Sequence, residues 1–181
     1  MKQRAYCDEG IVLARRTYGE ADRILSIFSK NHGRLSLIAK GVRKVASRKR
    51  GHIEVFNLIK FAAVRGKGLD LITEAETIDN YSEVRKSLNK VALAYFFMET
   101  IGRTTRESEK NTELFGLIKH HLDLLKDGKK LKSLRSSFIL EELTLLGFWP
   151  EGKILPNPDE KLQEVTERYM GSIRVGKQLV S

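Results

Sequence analysis

The sequence predicts an α+β chain: a five-stranded β-barrel over residues 1–80 followed by an α-helical bundle over residues 81–181. Three observations carry this reading. Apolar residues alternate with period two from Tyr6 to Thr77, they recur at helical spacing after Asn80, and the breaks in the first part are short and rich in glycine. A chain of 181 residues has room for one large domain or two small ones, each with a core. Its 41% hydrophobic and 31% charged residues are ordinary for a soluble globular protein.

Strands are predicted near 6–17, 22–29, 34–41, 53–63 and 69–77. Leu35, Leu37 and Ala39 alternate with Arg34, Ser36 and Lys40. Ile53, Val55, Ile59 and Phe61 share a face opposite Glu54 and Lys60, and Leu69 and Leu71 flank Asp70. The breaks carry turn chemistry: Tyr18-Gly19, Asn31-His32-Gly33, the segment Lys40–His52, and Arg65-Gly66-Lys67-Gly68. The last reads as a hairpin turn whose glycines supply positive φ. Five short strands without long helices between them suggest a small closed barrel, for which the OB-fold is the usual five-stranded solution.

After Asn80, Val84, Leu88, Val91, Tyr95 and Met98 form a helical stripe that Ala92 and Phe96 widen. A second helix is predicted over 112–126, with Leu114, Ile118, Leu122 and Leu125 inward and a left-handed Gly128 at its end. A third spans 130–146 and stops at Gly147, and Phe148-Trp149 caps the bundle core. The fourth starts at Asn157-Pro158-Asp159-Glu160: asparagine caps, proline takes the first helical position, and acids suit the positive helix end. Its apolar face is Leu162, Val165, Tyr169 and Met170.

Charge is distributed unevenly. Of the formal net charge of +10, the first 80 residues hold 16 Lys and Arg against 9 Asp and Glu, and the remainder holds 17 against 14. An anionic partner is therefore expected on the N-terminal part. Lys40 to His52 reads KGVRKVASRKRGH and carries Lys40, Arg43, Lys44, Arg48, Lys49 and Arg50 with no acid among them. Taken alone it is either a solvated charged loop or a phosphate-binding surface on a β scaffold. Arg15, Arg16 and Arg34 lie at strand ends, and Tyr18, at a turn, is placed to stack on a base. Phe28, Phe56 and Phe61 alternate with other apolar residues and read as core. An anionic membrane surface is the other polyanion to weigh. No window approaches 18 uncharged apolar residues, and the N-terminus lacks a signal-peptide core, so a soluble cytoplasmic protein is expected.

A second cationic cluster, Lys129, Lys130, Lys132 and Arg135, opens the third predicted helix, where positive charge is electrostatically poor. It reads either as a solvated face or as a second anion site for nucleic acid or an acidic peptide tail, with Leu131 and Phe138 supplying an apolar pocket. Catalysis is not expected. Cys7 is the only cysteine, His32, His52, His120 and His121 have no metal-ligand spacing, and no nucleophile triad or clustered acidic motif of a nuclease stands out. Gly171 to Lys177 has P-loop spacing, but Gln178 follows the lysine where Ser or Thr is needed. No metal and no cofactor are expected. A non-catalytic protein-binding adaptor with an incidental basic loop remains the alternative to a nucleic-acid binder.

Several segments together resemble the RecO family of bacterial DNA repair proteins. Gly10 to Ile24 (GIVLARRTYGEADRI) is similar to the family's opening signature. Phe28 to Arg34 (FSKNHGR), Ala39 to Arg43 (AKGVR) and Arg50 to Phe56 (RGHIEVF) follow at its spacing, and Leu145 to Pro150 (LLGFWP) resembles the segment before its zinc module. Many members carry a cysteine cluster next. Here Glu151 to Pro158 passes into a helix without one, and the chain is shorter than usual. The expectation is a lost zinc module or a divergent branch, and metal binding is not carried over. The resemblance implies a bacterial, nucleoid-associated recombination mediator. It would bind single- and double-stranded DNA, anneal complementary strands, work with RecR, contact the acidic tail of single-stranded DNA-binding protein and help load RecA. Lys40, Arg43, Lys44, Arg48, Lys49 and Arg50 are the first candidates for phosphate contact, with Arg15, Arg16 and Arg34 next.

Overall fold

The computed structural model describes residues 5–166. Strands β1 (Ala5–Tyr18), β2 (Asp22–Ser29), β3 (Gly33–Ala39), β4 (Leu58–Val64) and β5 (Asp70–Asp79) close a barrel in the order β1-β2-β3-β5-β4. All neighbours are antiparallel except β3 and β5, which meet in parallel at Leu37–Asp70 and Ile38–Leu71. This is the five-stranded OB-type barrel that the period-two pattern predicts. Its interior is Val12, Leu25, Ile27, Leu37, Ile59, Phe61, Ala63 and Ile72, all buried. Phe28, Phe56 and Phe61 are core residues as expected.

The fourth strand departs from the sequence reading. Residues 53–57 are turns, and β4 begins only at Leu58. Ile53 and Val55 alternate with Glu54 because both are buried, Ile53 in the barrel core together with Val42. A plug that buries every second residue has the same sequence signature as a strand. Phe56 sits at φ 58°, donates its N–H to the Val12 carbonyl (2.8 Å), and is followed by Asn57, whose carbonyl accepts the Val12 N–H (3.1 Å). These bonds anchor the plug where the β1–β2 register slips between Val12 and Ala14. The Arg65–Gly68 turn also differs. Its glycines do not have positive φ. Gly66 is needed because a Cβ there would lie 2.1 Å from the Leu69 carbonyl oxygen.

The described helices are α1 (Ser82–Arg85), α2 (Leu88–Thr104), α3 (Thr112–Asp127), α4 (Leu131–Leu145) and α5 (Pro158–Thr166). The chain divides into two compact units, one of residues 1–80 and 105–115, the other of residues 81–104 and 116–181. The sequence alone assigns residues 105–115 to the helical part, 81–181. In the structure this segment runs beside β3: the Ser108 N–H donates to the Arg34 carbonyl (2.8 Å), and Ser36 Oγ bonds to the Glu107 carboxylate. Gly33, at φ 70°, makes room for it, since a Cβ there would meet the Glu109 carbonyl at 2.0 Å.

In the helical unit, Phe97 and Phe138 stack at 4.1 Å, and His121 meets both rings edge-on. The apolar face of α2 is Leu93, Ala94, Phe96, Phe97, Met98 and Ile101. Leu88 and Tyr95, predicted inward, are exposed. The non-helical Lys86 and Ser87 interrupt the helix, so the stripe from Val84 does not continue into α2 in phase. Gly128 is not left-handed; a Cβ there would approach the Leu124 carbonyl to 2.8 Å. Gly147, at φ 78°, ends α4 as expected. Pro158 opens α5, and the Asn157 side-chain amide donates to Glu160 (2.9 Å). Tyr169, Met170 and the Gly171–Lys177 string lie outside the described residues.

Candidate nucleic-acid interface

The Lys40–His52 loop is two-sided. Val42 and Ile53 face inward and help close the barrel, at about 1.5–3 kcal/mol for each such side chain removed from water. The outward side carries the cations. Its first residues are fastened to the β1–β2 turn: the Gly41 N–H donates to Asp22 Oδ1 (2.7 Å), the Arg43 N–H to the Ala21 carbonyl (2.9 Å), and the Arg43 guanidinium to the Glu20 carbonyl (2.8 Å). Successive turns follow, with Lys44 bonded to Gly41, Ser47 to Lys44 and His52 to Lys49 through the backbone. At the far end the Thr77 N–H donates to His52 Nδ1 (3.1 Å), which puts the proton of a neutral ring on Nε2. The loop is therefore a braced platform.

The cations on it are not equivalent. Lys40, Lys44, Arg48 and Arg50 are exposed and make no ion pair among the described residues. Lys49 is half-buried, and its ammonium donates to the carbonyls of Ile72 (3.3 Å) and Thr73 (3.4 Å). Tyr18 is 53% exposed, at the turn to which Arg43 is fastened. Arg15 reaches the loop and pairs with Glu54. Arg16 is exposed on the opposite face of β1. Arg34 is not brought to this end. It lies at the start of β3, about 17 Å along the strand from Ala39, with its Nε buried.

Sequence reasoning missed Arg23. It opens β2 opposite Thr17 and Ala39. Partial burial, and then the charges of Arg15, Arg43 and Arg50, lower its guanidinium pKa, and Glu54 is the acid that opposes this. Arginines from β1, β2 and the loop thus lie near enough to act on one another, and such a concentration of positive charge attracts phosphate. Its position beside a turn was the only signal, and an arginine inside an apolar strand segment reads as a solvated edge residue.

The second cluster divides. Lys129, Lys130 and Lys132 are exposed, and Leu131 is half-buried. Arg135 is buried, pairs with Asp159 of α5, and lies 4.2 Å from the Phe96 ring centre. Phe138 is fully buried against Phe97. Neither can line a surface pocket as the sequence suggested, because both face the α2 and α5 side of α4. Among the described residues no three His, Cys, Asp or Glu side chains are grouped to hold a metal. No described helix is long and apolar enough to cross a membrane.

Two family descriptions match this chain: Recombination protein O N terminal over residues 1–81 and Recombination protein O C terminal over residues 85–153. The chain belongs to the RecO family. Relatives named DNA repair protein RecO include one from Pelotomaculum thermopropionicum, 37% identical over 145 residues, covering 80% of this chain and 56% of the relative. One from Roseiflexus sp. is 30% identical over 169 residues, covering 93% and 59%. One from Dehalococcoides mccartyi is 32% identical over 161 residues, covering 89% and 64%. The chain thus matches somewhat under two thirds of the length of these RecO relatives. The first of the two matched regions holds the barrel and its cationic loop, the second the described α2, α3 and α4.

Proposed function

We propose that this RecO-family chain is a non-catalytic DNA-binding recombination mediator that holds single and double strands by their phosphates on the plugged end of the barrel. The observation that carries this is the outward face of the braced loop, where Lys40, Arg43, Lys44, Arg48 and Arg50 are exposed and make no ion pair among the described residues, with Arg15 and Arg23 on the adjoining strands. Phosphate contacts position a strand without reading its sequence, and Tyr18 offers a base-stacking face at the same end. Strand annealing follows physically: a surface that neutralises two backbones lowers their repulsion and lets base pairing proceed. Cooperation with RecR and RecA loading are the family functions this surface would serve.

A second contact is proposed on α4. Lys129, Lys130 and Lys132 would steer the acidic tail of single-stranded DNA-binding protein, with half-buried Leu131 as the apolar element. Binding to labelled single-stranded DNA across a salt series tests the main proposal. Affinity should fall steeply with salt and depend little on sequence. An adaptor with an incidental basic loop would retain no DNA at physiological salt.

A further inference from the structure

The barrel has a second concave end. β3 runs about 20 Å between them, from the β2–β3 turn to the basic loop. At the unplugged end lies a cavity of about 270 Å³, just under the about 300 Å³ at which ligand pockets begin. Its apolar wall is Leu35 and the ring of Tyr6. The His32 ring lies 4.9 Å from that of Tyr6, tilted by 46°, so the two aromatic faces form a shallow V.

Both rings are held in place. The Tyr6 hydroxyl donates to Asp70 Oδ2 (2.9 Å), and burial and this bond raise its pKa. His32 Nδ1 donates to Asp8 Oδ2 (2.7 Å). Asp8 is buried, which would raise its pKa, but bonds from His32, the Asn31 backbone and side chain, and the Glu9 N–H outweigh that and keep it ionised. The rim carries Arg65 and Lys110, both exposed and without an ion pair among the described residues. The Arg65 guanidinium lies 5.9 Å from the Tyr6 ring centre, at the outer limit for a cation–π contact, so little holds it there. The cavity carboxylate, Asp70, already accepts from Tyr6 and from the Gly66 N–H.

We infer that this cavity is a nucleotide site, in which one base stacks on Tyr6 with His32 at its edge while its phosphate is held by Arg65 and Lys110. A planar π-face beside two uncommitted cations suits a base with an attached phosphate better than either alone. The source is a free mononucleotide or the phosphorylated end of a strand, and both present this chemistry. The inference shares its polyanion chemistry with the proposed DNA-binding role but uses none of the same residues.

The full chain, titrated with deoxyadenosine monophosphate and followed by amide NMR shifts, tests it. Shifts should concentrate at Tyr6, Asn31, His32, Arg65 and Lys110. Deoxyadenosine and inorganic phosphate should each bind at least about tenfold more weakly, since each lacks one half of the recognition. Arg65→Ala with Lys110→Ala, both at exposed positions, should weaken the monophosphate about tenfold or more. Tyr6→Phe should retain binding, and Tyr6→Leu should lose it. If this double variant weakens strands only when they carry a 5′-phosphate, the ligand is a strand end; if it weakens the monophosphate but neither strand, it is a free nucleotide. Phosphate binding as tight as the monophosphate, or parental affinity in the double variant, would overturn the site. Arg48→Ala with Arg50→Ala separates the two proposals: it should weaken binding of unphosphorylated strands and make its salt slope shallower, and leave monophosphate binding intact.

Discussion

The basic loop of the barrel and the basic start of α4 look alike in sequence, but the loop leaves its arginines facing water, whereas α4 exposes its lysines and buries its arginine. Each concentrates Lys and Arg within a few residues. In the loop, apolar residues turn inward as a plug, and the charges between them are left facing water. On α4, helical spacing puts Arg135 and Phe138, three residues apart, on the face that meets α2 and α5, so charge and ring are buried together. A run of cations therefore forms a surface only where the local backbone period keeps it apart from the apolar set.

The largest expected effect tests the buried half of that contrast. Phe138→Ala removes a ring stacked at 4.1 Å on Phe97, and should cost about 3–5 kcal/mol of stability. Arg135→Ala removes a buried ion pair with Asp159 and the contact with the Phe96 ring, and should cost about 2–3 kcal/mol, less than a fully enclosed pair because Asp159 is partly exposed. Thermal and urea unfolding read both. A Phe138→Ala protein as stable as the parent would return that side chain to the surface.

Next comes the exposed half. Replacing Lys44, Arg48 and Arg50 with alanine should leave stability within about 0.5 kcal/mol, since all three are exposed and none makes an ion pair among the described residues. If each contacts one phosphate of a single strand, the log–log salt slope should become shallower by about 2 in total, at about 0.7 per contact. Lys49→Ala should change the slope less, because its ammonium is already bonded to the Ile72 and Thr73 carbonyls. An unchanged slope in the folded triple variant would remove the loop from the site.

Much of this was legible in the sequence, and what was not has physical causes. Strand positions and loop composition could be read because alternation reports a half-buried surface directly. The false strand at 53–57 shows the limit: alternation reports burial, not hydrogen bonding, and Ile53 and Val55 are buried without a ladder. Arg23 and the 105–115 segment were illegible because they depend on which distant segments close on them. The same holds for Tyr6, which reads as a strand aromatic until the His32, Arg65 and Lys110 segments are brought around it.

A smaller effect should appear in the pH dependence of the helical unit. Glu142 is fully buried, and burial pushes its carboxyl up to about 8, while Thr104 hydrogen-bonds to it at 2.6 Å. The folded state thus holds a proton that the unfolded state releases near pH 4.5. Between these values stability should fall as pH rises, by up to about 1.4 kcal/mol per pH unit. His121 acts in the opposite sense: burial lowers its pKa, so stability falls as pH drops below about 6.5, where the unfolded ring gains its proton. Glu142→Gln should flatten the fall in stability between about pH 4.5 and 8. A fall across that window as steep as the parent's would mean that another group causes it.

The smallest effect concerns the exposed lysines of α4, and it asks whether they are there for binding or by default. Lys130 is the N-cap and makes no side-chain cap bond, and the first turn contains no acid. Both features are unfavourable at a helix start, where Asp accepts a backbone N–H and complements the dipole. Lys130→Asp should therefore stabilise the protein by about 0.5–1 kcal/mol. If Lys129, Lys130 and Lys132 steer an acidic tail, the same change should weaken binding of an acidic, apolar-ended peptide, chiefly by slowing association and more at low salt. It should leave DNA affinity nearly intact, since the basic loop is unchanged. A variant that gains stability and keeps parental peptide affinity would identify the cluster as a solvated face and place the acidic-tail contact elsewhere.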